Sequence, residues 1–553
     1  MTLSRTDTLR SAWAKRPEFT PLGLSLVTAI FVFAVHNATF WRIGSDVFAG
    51  HMLSFAGFIA AVFCLALAVQ SVFSFPYMVK PFLAFVLILG AVTSFYMDQL
   101  GVIIDRDMIQ NVMVTTVTES KHLITAGFVT HVGLTGILPA LALFAIRIKR
   151  QSLLRTLALP AVCFALTLAL CAGFLMADLK SYAAVFRERK DLMSSFQPFA
   201  PMVGAIRYAR MISATTDVTV QPIGEDAHRG PSYEGSRKPV LTIVVAGETA
   251  RAQNFGLNGY ERDTTPMLAG RDVINFANVS SCGTATAVSL PCMFSRFTRQ
   301  EYSYEKGVSH QNVLDVLDHA GLHVEWWDNN TGDKGLARRL KSRSFTNTQN
   351  AEFCASGECM DGIFMRALES FADTITEDTV LVLHQIGSHG PTYYLRYPEE
   401  FERFKPACRT AEFKECTAAE ITNAYDNTIA YTDAVLARTI DLLDQKSNLN
   451  TALIYVSDHG ESLGESGLYL HGSPYFMAPA YQTTVPMVLW MSEGFKTQFG
   501  LDGACLSQQA DVALSHDNLF HSLLGMLDIS TRERDPALDI FAPCHRSQRV
   551  AQK

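Results

Sequence analysis

Five apolar runs, at about 21–40, 52–75, 78–97, 124–146 and 156–177, constrain this chain more than any other feature. Each is close to the ~20 residues that an α-helix needs to cross a bilayer. No run of that length recurs beyond Asp178. The sequence therefore predicts a five-helix transmembrane domain over 1–177 followed by a large water-soluble domain. At 553 residues the chain is too long for one ordinary domain, and its 48 % hydrophobic and 18 % charged residues reflect the apolar N-terminal part. The first run is too long, and too soon followed by others, to be a cleaved signal peptide. A formal net charge of −7 argues against a nucleic-acid partner.

Basic residues set the expected orientation. Arg5, Arg10, Lys15 and Arg16 precede the first run, and Arg147, Lys149, Arg150 and Arg155 fill the short loop between the fourth and fifth. Five spans place both groups in the cytoplasm and the soluble domain outside it. Lys180, Arg187, Arg189 and Lys190 follow the fifth run on the outer side, and read as an amphipathic connector along the membrane surface. Cysteine usage points to the same compartment. Cys64, Cys163 and Cys171 lie in apolar runs as buried thiols, whereas Cys282, Cys292, Cys354, Cys359, Cys408, Cys416, Cys505 and Cys544 all fall in the soluble part. An even number there reads as disulfides in an oxidising compartment. Sequence proximity favours 282–292, 354–359 and 408–416, leaving 505–544; the spacings are not those of a cysteine zinc site.

Between the third and fourth runs, an outer segment near 103–120 has helical periodicity. Asn111, Thr115 and Glu119 fall at i, i+4 and i+8 on one face, which on residues alone suits the solvated side of an interfacial helix. A polar connector over 178–238 contains Gly224, Gly230, Pro231 and Gly235, and a compact domain over 239–553 follows. In that domain Val240–Ala246, Thr379–Leu383 and Thr451–Val456 are short, nearly continuous apolar runs, as in strands covered on both faces. Helical stretches separate them, so the domain is α/β. The runs lead into Gly247-Glu248, into His384 to His389, and into Ser457-Asp458-His459 respectively. The carboxyl ends of strands are where open α/β sheets bind ligands.

Glu248, Asp458 and His459 are ligand types for Zn²⁺ or Mn²⁺, and His389 and His471 are further candidates. Singly, each has an ordinary explanation as a helix cap or a solvated loop residue. Their joint placement after strands, with glycine following His389, Asp458-His459 and His471, favours a metal site. Ser281–Cys292 (SCGTATAVSLPC) then gains a chemical reading. A dication lowers the pKa of a bound hydroxyl by many units, which would make Thr284 or Thr286 a nucleophile without a histidine base. The cysteine pair would clamp the loop. Gly283-Thr-Ala-Thr also looks like a helix start, which would favour a phosphate.

Five stretches carry a resemblance: Val245–Phe255 (VAGETARAQNF), Asn275–Ser295 (NFANVSSCGTATAVSLPCMFS), Trp327–Gly335 (WDNNTGDKG), His384–Tyr394 (HQIGSHGPTYY) and Ser457–Glu465 (SDHGESLGE). With the five apolar runs they resemble the membrane-bound phosphoethanolamine–lipid A transferases, including the mobile colistin-resistance enzymes, within the alkaline phosphatase superfamily. The resemblance implies an alkaline phosphatase/sulfatase-like α/β/α domain, with one tightly bound zinc held by Glu248, Asp458, His459 and the nucleophile Thr286. It thus selects Thr286, which spacing alone leaves level with Thr284. Lys334, His389 and His471 match family positions that hold the phosphate or donor head group, and sometimes a second zinc. Asn111, Thr115 and Glu119 match residues that face the active site and help bind ethanolamine.

The implied reaction takes phosphoethanolamine from phosphatidylethanolamine to a lipid A phosphate through a phosphoethanolamine–threonine intermediate. The implied setting is the bacterial inner membrane, with a monomeric protein whose catalytic domain lies in the periplasm. The modified lipid A would attract polymyxins and other cationic peptides less. The motifs also admit another acceptor, such as a periplasmic glucan, a lipopolysaccharide core sugar or a glycerol-phosphate polymer. A sulfatase fits less well, because Cys292-Met-Phe-Ser-Arg296 has Phe294 where the formylglycine motif requires proline. A catalytically inactive membrane sensor would have no need of the intact set Glu248, Thr286, Asp458 and His459.

Overall fold

The computed structural model describes residues 16–346, 348, 350–355 and 357–545, without the side chains of Thr118 and Glu119. The chain divides into two compact units. One comprises the residues up to Arg106 together with Ile124–Ile206, and the other Asp107–Leu123 with Arg207 onward. The segment after the third span is thus grouped with the α/β unit, not with the membrane unit as its place in the sequence suggests. The 178–238 connector is divided within a helix, Phe199–Thr215.

Four helices of the first unit are long and apolar enough to cross a membrane: Met52–Val72, Val79–Leu100, Ala126–Ala145 and Leu153–Ala177. The first apolar run differs from the expected single span. It forms α1 (Pro21–Val35) and α2 (Ala38–Val47), bent by 69° at a short break, and makes a fifth span only if the pair counts as one. The reason is Asn37. Its side-chain amide donates to the carbonyls of Val32 (3.0 Å) and Gln197 (3.1 Å), while its oxygen accepts from the Gln197 amide (2.8 Å). A side chain that takes over backbone partners competes with helix continuation. The four long helices are α3, α4, α7 and α8 in chain order; α5 (Arg106–Val114) and α6 (Val117–His122) lie between α4 and α7. Beyond α8, the helix Leu179–Glu188 is amphipathic as expected. It buries Tyr182, whose hydroxyl donates to the carbonyl of Ser54 (2.7 Å). Cys171 is buried, but Cys64 and Cys163 are only half-buried, since apolar helix surface facing lipid need not be covered by protein.

The outer segment is also not the single helix expected. After α5 the Thr115 hydroxyl bonds back to the Asn111 carbonyl (2.7 Å), and α6 begins only at Val117. Asn111 and Thr115 therefore sit at one helix end, and the i, i+4, i+8 face does not run through. The Glu119 side chain lies outside the described residues.

The second unit is built on an eight-stranded sheet: β1 (Val240–Gly247), β2 (Ile274–Ser280), β3 (His323–Asp328), β4 (Lys341–Ser344), β5 (Thr379–His384), β6 (Asn450–Ser457), β7 (Thr484–Met491) and β8 (Leu514–Ser515). The order is β8-β2-β7-β6-β1-β5-β3-β4, with β7 antiparallel to both its neighbours and the other pairings parallel. The three apolar runs seen in the sequence are the central strands β6, β1 and β5, buried at every position. Helices cover both faces, as such strands require. Val244, Val382 and Ile454 share a core with Leu290 of α10 (Thr286–Met293), Leu317 of α11 (Val313–His319) and Leu523 of α13 (Asp517–Met526). The 27-residue α12 (Ala418–Asp444) starts at a Thr417/Glu420 capping box and buries Tyr425, Ile429, Leu436 and Ile440. We use α9 for Phe199–Thr215. Because β6, β1 and β5 are adjacent and parallel, their carboxyl ends deliver residues to one place.

Candidate metal centre

Glu248 is the first residue past β1, and Asp458-His459 are the first two past β6. Their ligand atoms lie within 4.8 Å of one another, and all three residues are buried. Thr286 opens α10. Its hydroxyl lies 2.9 Å from Glu248 Oε2 and 3.3 Å from His459 Nε2, which is itself 3.3 Å from Glu248 Oε1 and 3.4 Å from Asp458 Oδ2. A tetrahedral zinc with bonds near 2.0 Å has ligand–ligand edges of roughly 3.3 Å. The group is therefore of the right size to chelate one ion. Thr284, which the spacing left level with Thr286, is turned elsewhere: its hydroxyl donates to the Ser473 carbonyl (2.6 Å).

The protein prepares each donor atom. The Nδ1 of His459 is 2.9 Å from the Gly460 carbonyl, which can only accept, so Nδ1 keeps its proton and Nε2 is the nitrogen that would offer a lone pair to a metal. Asp458 Oδ1 accepts from the amides of His459 (2.7 Å) and Thr249 (3.2 Å), whereas its Oδ2 is buried with no hydrogen-bond partner. An orphaned carboxylate oxygen beside two other donors is what a cation would satisfy. Burial disfavours charge on Glu248, but His459, His389 and His471 outweigh it and hold its carboxyl well below the usual range. Asp458, buried beside Glu248, is pushed up to about 6. Burial likewise opposes a charged imidazole at His459, yet Asp458 and Glu248 raise it to about 10. Protons thus balance the buried carboxylates, and a dication would displace them. Oxygen and imidazole donors in this arrangement fit zinc.

The neighbouring loops complete the site. The β5 loop brings His389 to a ring distance of 5.2 Å from His471, which lies 4.5 Å from His459. That loop approaches β1 closely: Ser388 N donates to the Glu248 carbonyl (3.0 Å), and Gly387 has φ 50°, where an added Cβ would lie 2.5 Å from the same oxygen. Lys334 sits in the loop after β3 with φ 49°, its ammonium donating to the carbonyl (2.7 Å) and hydroxyl (2.6 Å) of Thr331. A cavity of about 250 Å³ is lined by His389, Asn330, Glu358 and, from the outer segment, Thr116. Gln110 of α5 donates to the Ala287 carbonyl (3.3 Å), one residue past Thr286.

Several residues that sequence reasoning missed hold these groups in place. Asn330 donates to Glu248 Oε2 (2.8 Å) and to the Gln385 carbonyl (2.7 Å). Glu461 is bonded to His471 Nδ1 (2.8 Å) and accepts from the Tyr393 hydroxyl (2.6 Å); burial pushes its carboxyl up to about 8. Asp361 accepts from the amides of Ile386 and Gly387 (both 2.9 Å). Glu461, two residues after His459, and Asn330, within Trp327–Gly335, lie in stretches that carry the resemblance, whereas Asp361 does not. Disulfides join Cys282–Cys292, Cys354–Cys359, Cys408–Cys416 and Cys505–Cys544, the first closing the loop that carries Thr286.

Comparison with known proteins agrees with this architecture. A family model described as Phosphoethanolamine transferase EptA/EptB matches residues 62–211, and one described as Sulfatase matches residues 241–529. The chain is 38 % identical over 539 residues to phosphoethanolamine transferase EptA of Escherichia coli K12, covering 96 % of this chain and 98 % of that one. It is 36 % identical over 541 residues to the phosphatidylethanolamine transferase Mcr-1 of Escherichia coli, covering 94 % and 97 %. The solved integral membrane lipooligosaccharide phosphoethanolamine transferase A of Neisseria meningitidis superposes with a TM-score of 0.91 at 34 % identity, over 96 % of this chain and all of that one. A helical apolar N-terminal region, a sulfatase-like α/β domain and relatives matched over nearly their whole length lead to one assignment: the chain belongs to the EptA family of phosphoethanolamine transferases.

Proposed function

We propose that this protein transfers phosphoethanolamine from phosphatidylethanolamine to a phosphate of lipid A, in two steps through Thr286. The observation that carries this reading is the Thr286 hydroxyl, 2.9 Å from Glu248 and 3.3 Å from His459, at the start of a helix with no side-chain cap. A zinc ion held by Glu248, Asp458, His459 and the Thr286 oxygen would acidify that hydroxyl and neutralise charge on the phosphoryl oxygens. Thr286 Oγ1 attacks the donor phosphorus, the bond to the diacylglycerol oxygen breaks, and that oxygen leaves with the electron pair and takes up a proton. One of two histidines, His471 with its Nδ1 held by Glu461 or His389 beside it, supplies that proton, and both bind the phosphoryl oxygens with Lys334. An oxygen of the lipid A phosphate then attacks the same phosphorus, and the bond to Thr286 breaks with its electron pair returning to Oγ1. The N-terminus of α10, which no side chain caps, favours the anionic group throughout.

Both substrates are lipids, which accounts for joining this domain to membrane-length helices. The basic loop Arg147–Arg155 and the four disulfides support an inner-membrane protein with its catalytic unit in the periplasm. The product would protect against polymyxins by lowering the attraction between lipid A and cationic peptides. Expression in a polymyxin-sensitive bacterium followed by lipid A mass spectrometry tests the proposal. The expected result is a gain of phosphoethanolamine units with the native chain and none with Thr286→Ala; unmodified lipid A from both would refute it.

A further inference from the structure

Two cavities flank the loop after β3, and Thr331 lines both. The one with His389 has been described. The other, about 300 Å³, runs past Ala287 and Pro291 of the nucleophile helix. Basic groups outnumber acidic ones in its lining. Lys334, Arg338 and Arg339 line it against one carboxylate, Asp333, which already accepts from the amides of Gly335 (3.1 Å) and Ala337 (2.8 Å). Arg339 is locked to Asp315 by two bonds of 2.5 and 2.7 Å. Arg338 is exposed and, among the described residues, makes no hydrogen bond or ion pair. Tyr208 of α9, Tyr302 and Tyr304 add aromatic surface to the lining.

An excess of guanidinium and ammonium groups selects a phosphate. Tyrosine rings offer a flat apolar face with a polar tip, which suits a sugar ring with its apolar face and hydroxyl rim. The volume is at the small end of ligand pockets, enough for one sugar and its phosphate. The His389 cavity has a different character, holding the half-buried Glu358 carboxylate, which pairs with Arg396 at 2.8 Å, beside a histidine. We propose that the larger cavity is the acceptor subsite, holding the phosphorylated sugar end of the acceptor glycolipid against Ala287, the residue after Thr286, for the second step. Arg338 meets the phosphate there, and Tyr208 and Tyr304 meet the ring. This rests on the two-step reading above.

The two half-reactions separate the possibilities. Full-length protein in detergent is loaded with phosphatidylethanolamine, and the mass of the Thr286 adduct is followed. The loaded protein is then chased with bisphosphorylated lipid A. Arg338→Glu and Tyr304→Ala should load within about twofold of the native chain, while the acceptor KM in the chase rises about 10- to 100-fold, as for one lost charge-assisted hydrogen bond. Arg338→Lys should recover part of that loss, which a misfolded protein would not. Loading slowed as much as the chase would assign the cavity to the donor and overturn the proposal, as would an unchanged chase. A native chain that never acquires the adduct instead overturns the two-step reading itself, before any variant is compared.

Discussion

His516 lies outside the metal cluster yet joins its two halves. The ring is 2 % exposed. Its Nδ1 is 3.0 Å from the Cys282 amide, at the start of the Thr286 loop, and its Nε2 is 2.9 Å from the Ser457 carbonyl, at the end of β6. The amide can only donate and the carbonyl can only accept, so the ring must be neutral with its proton on Nε2. Ser289 reinforces the bridge, donating to the Asp458 carbonyl (2.5 Å) and accepting from Gly283 N (3.1 Å). His516→Ala strands one buried donor and one buried acceptor, at about 1–3 kcal/mol each. The vacated ring volume adds about 2 kcal/mol, for a total of about 4–8 kcal/mol. Burial lowers the imidazole to about 4 against an ordinary 6.5. Between those values the unfolded chain binds the proton that the folded ring refuses, so this contribution is intact above pH 6.5 and is lost as pH falls toward 4. The difference of about 2.5 pKa units amounts to about 3 kcal/mol. Thermal unfolding of the full-length protein should therefore show His516→Ala melting well below the native chain at pH 7.5, with the gap narrowing by pH 5. His516→Gln, which keeps a donor, should recover part of the loss and remove the pH dependence. An alanine variant that melts within a degree of native at pH 7.5, or a gap that widens in acid, refutes the bridge.

Other positions give sharper single readouts. Glu248→Gln should reduce bound zinc, measured by elemental analysis, and lower transfer by more than about 100-fold; full zinc with normal turnover would remove Glu248 from the ligand set. Gly387→Ala forces a side chain into positive φ and to 2.5 Å from the Glu248 carbonyl, so it should destabilise by more than about 1 kcal/mol and speed amide exchange in the 384–389 loop. Replacing Cys282 and Cys292 together by serine opens a loop with a sequence separation of 10, worth about 3 kcal/mol, so the variant should melt below the native chain when both are kept non-reduced.

Legibility in this sequence follows the range of the interactions concerned. β1, β5 and β6 could be read directly because strands buried on both faces must be apolar throughout, and Val240–Gly247, Thr379–His384 and Asn450–Ser457 are. Their adjacency could not, since it depends on crossovers of more than a hundred residues between β1 and its two partners. The close cysteine pairs were readable for the same local reason as the strands. The bend at Asn37 was hidden because the partner that fixes it is Gln197, 160 positions away. The choice between Thr284 and Thr286 was equally hidden within one small-residue loop. What separates them in space is Ser473, which accepts from Thr284 and leaves Thr286 facing Glu248. Asn330, Asp361 and His516 look like ordinary loop polar residues in one dimension, and each gains its role from a backbone group that folding brings beside it. A buried polar residue must find such a partner or be excluded from the core. The residues that sequence reasoning overlooks are therefore concentrated around the site, where many backbone ends converge and polar side chains are needed to bind them together.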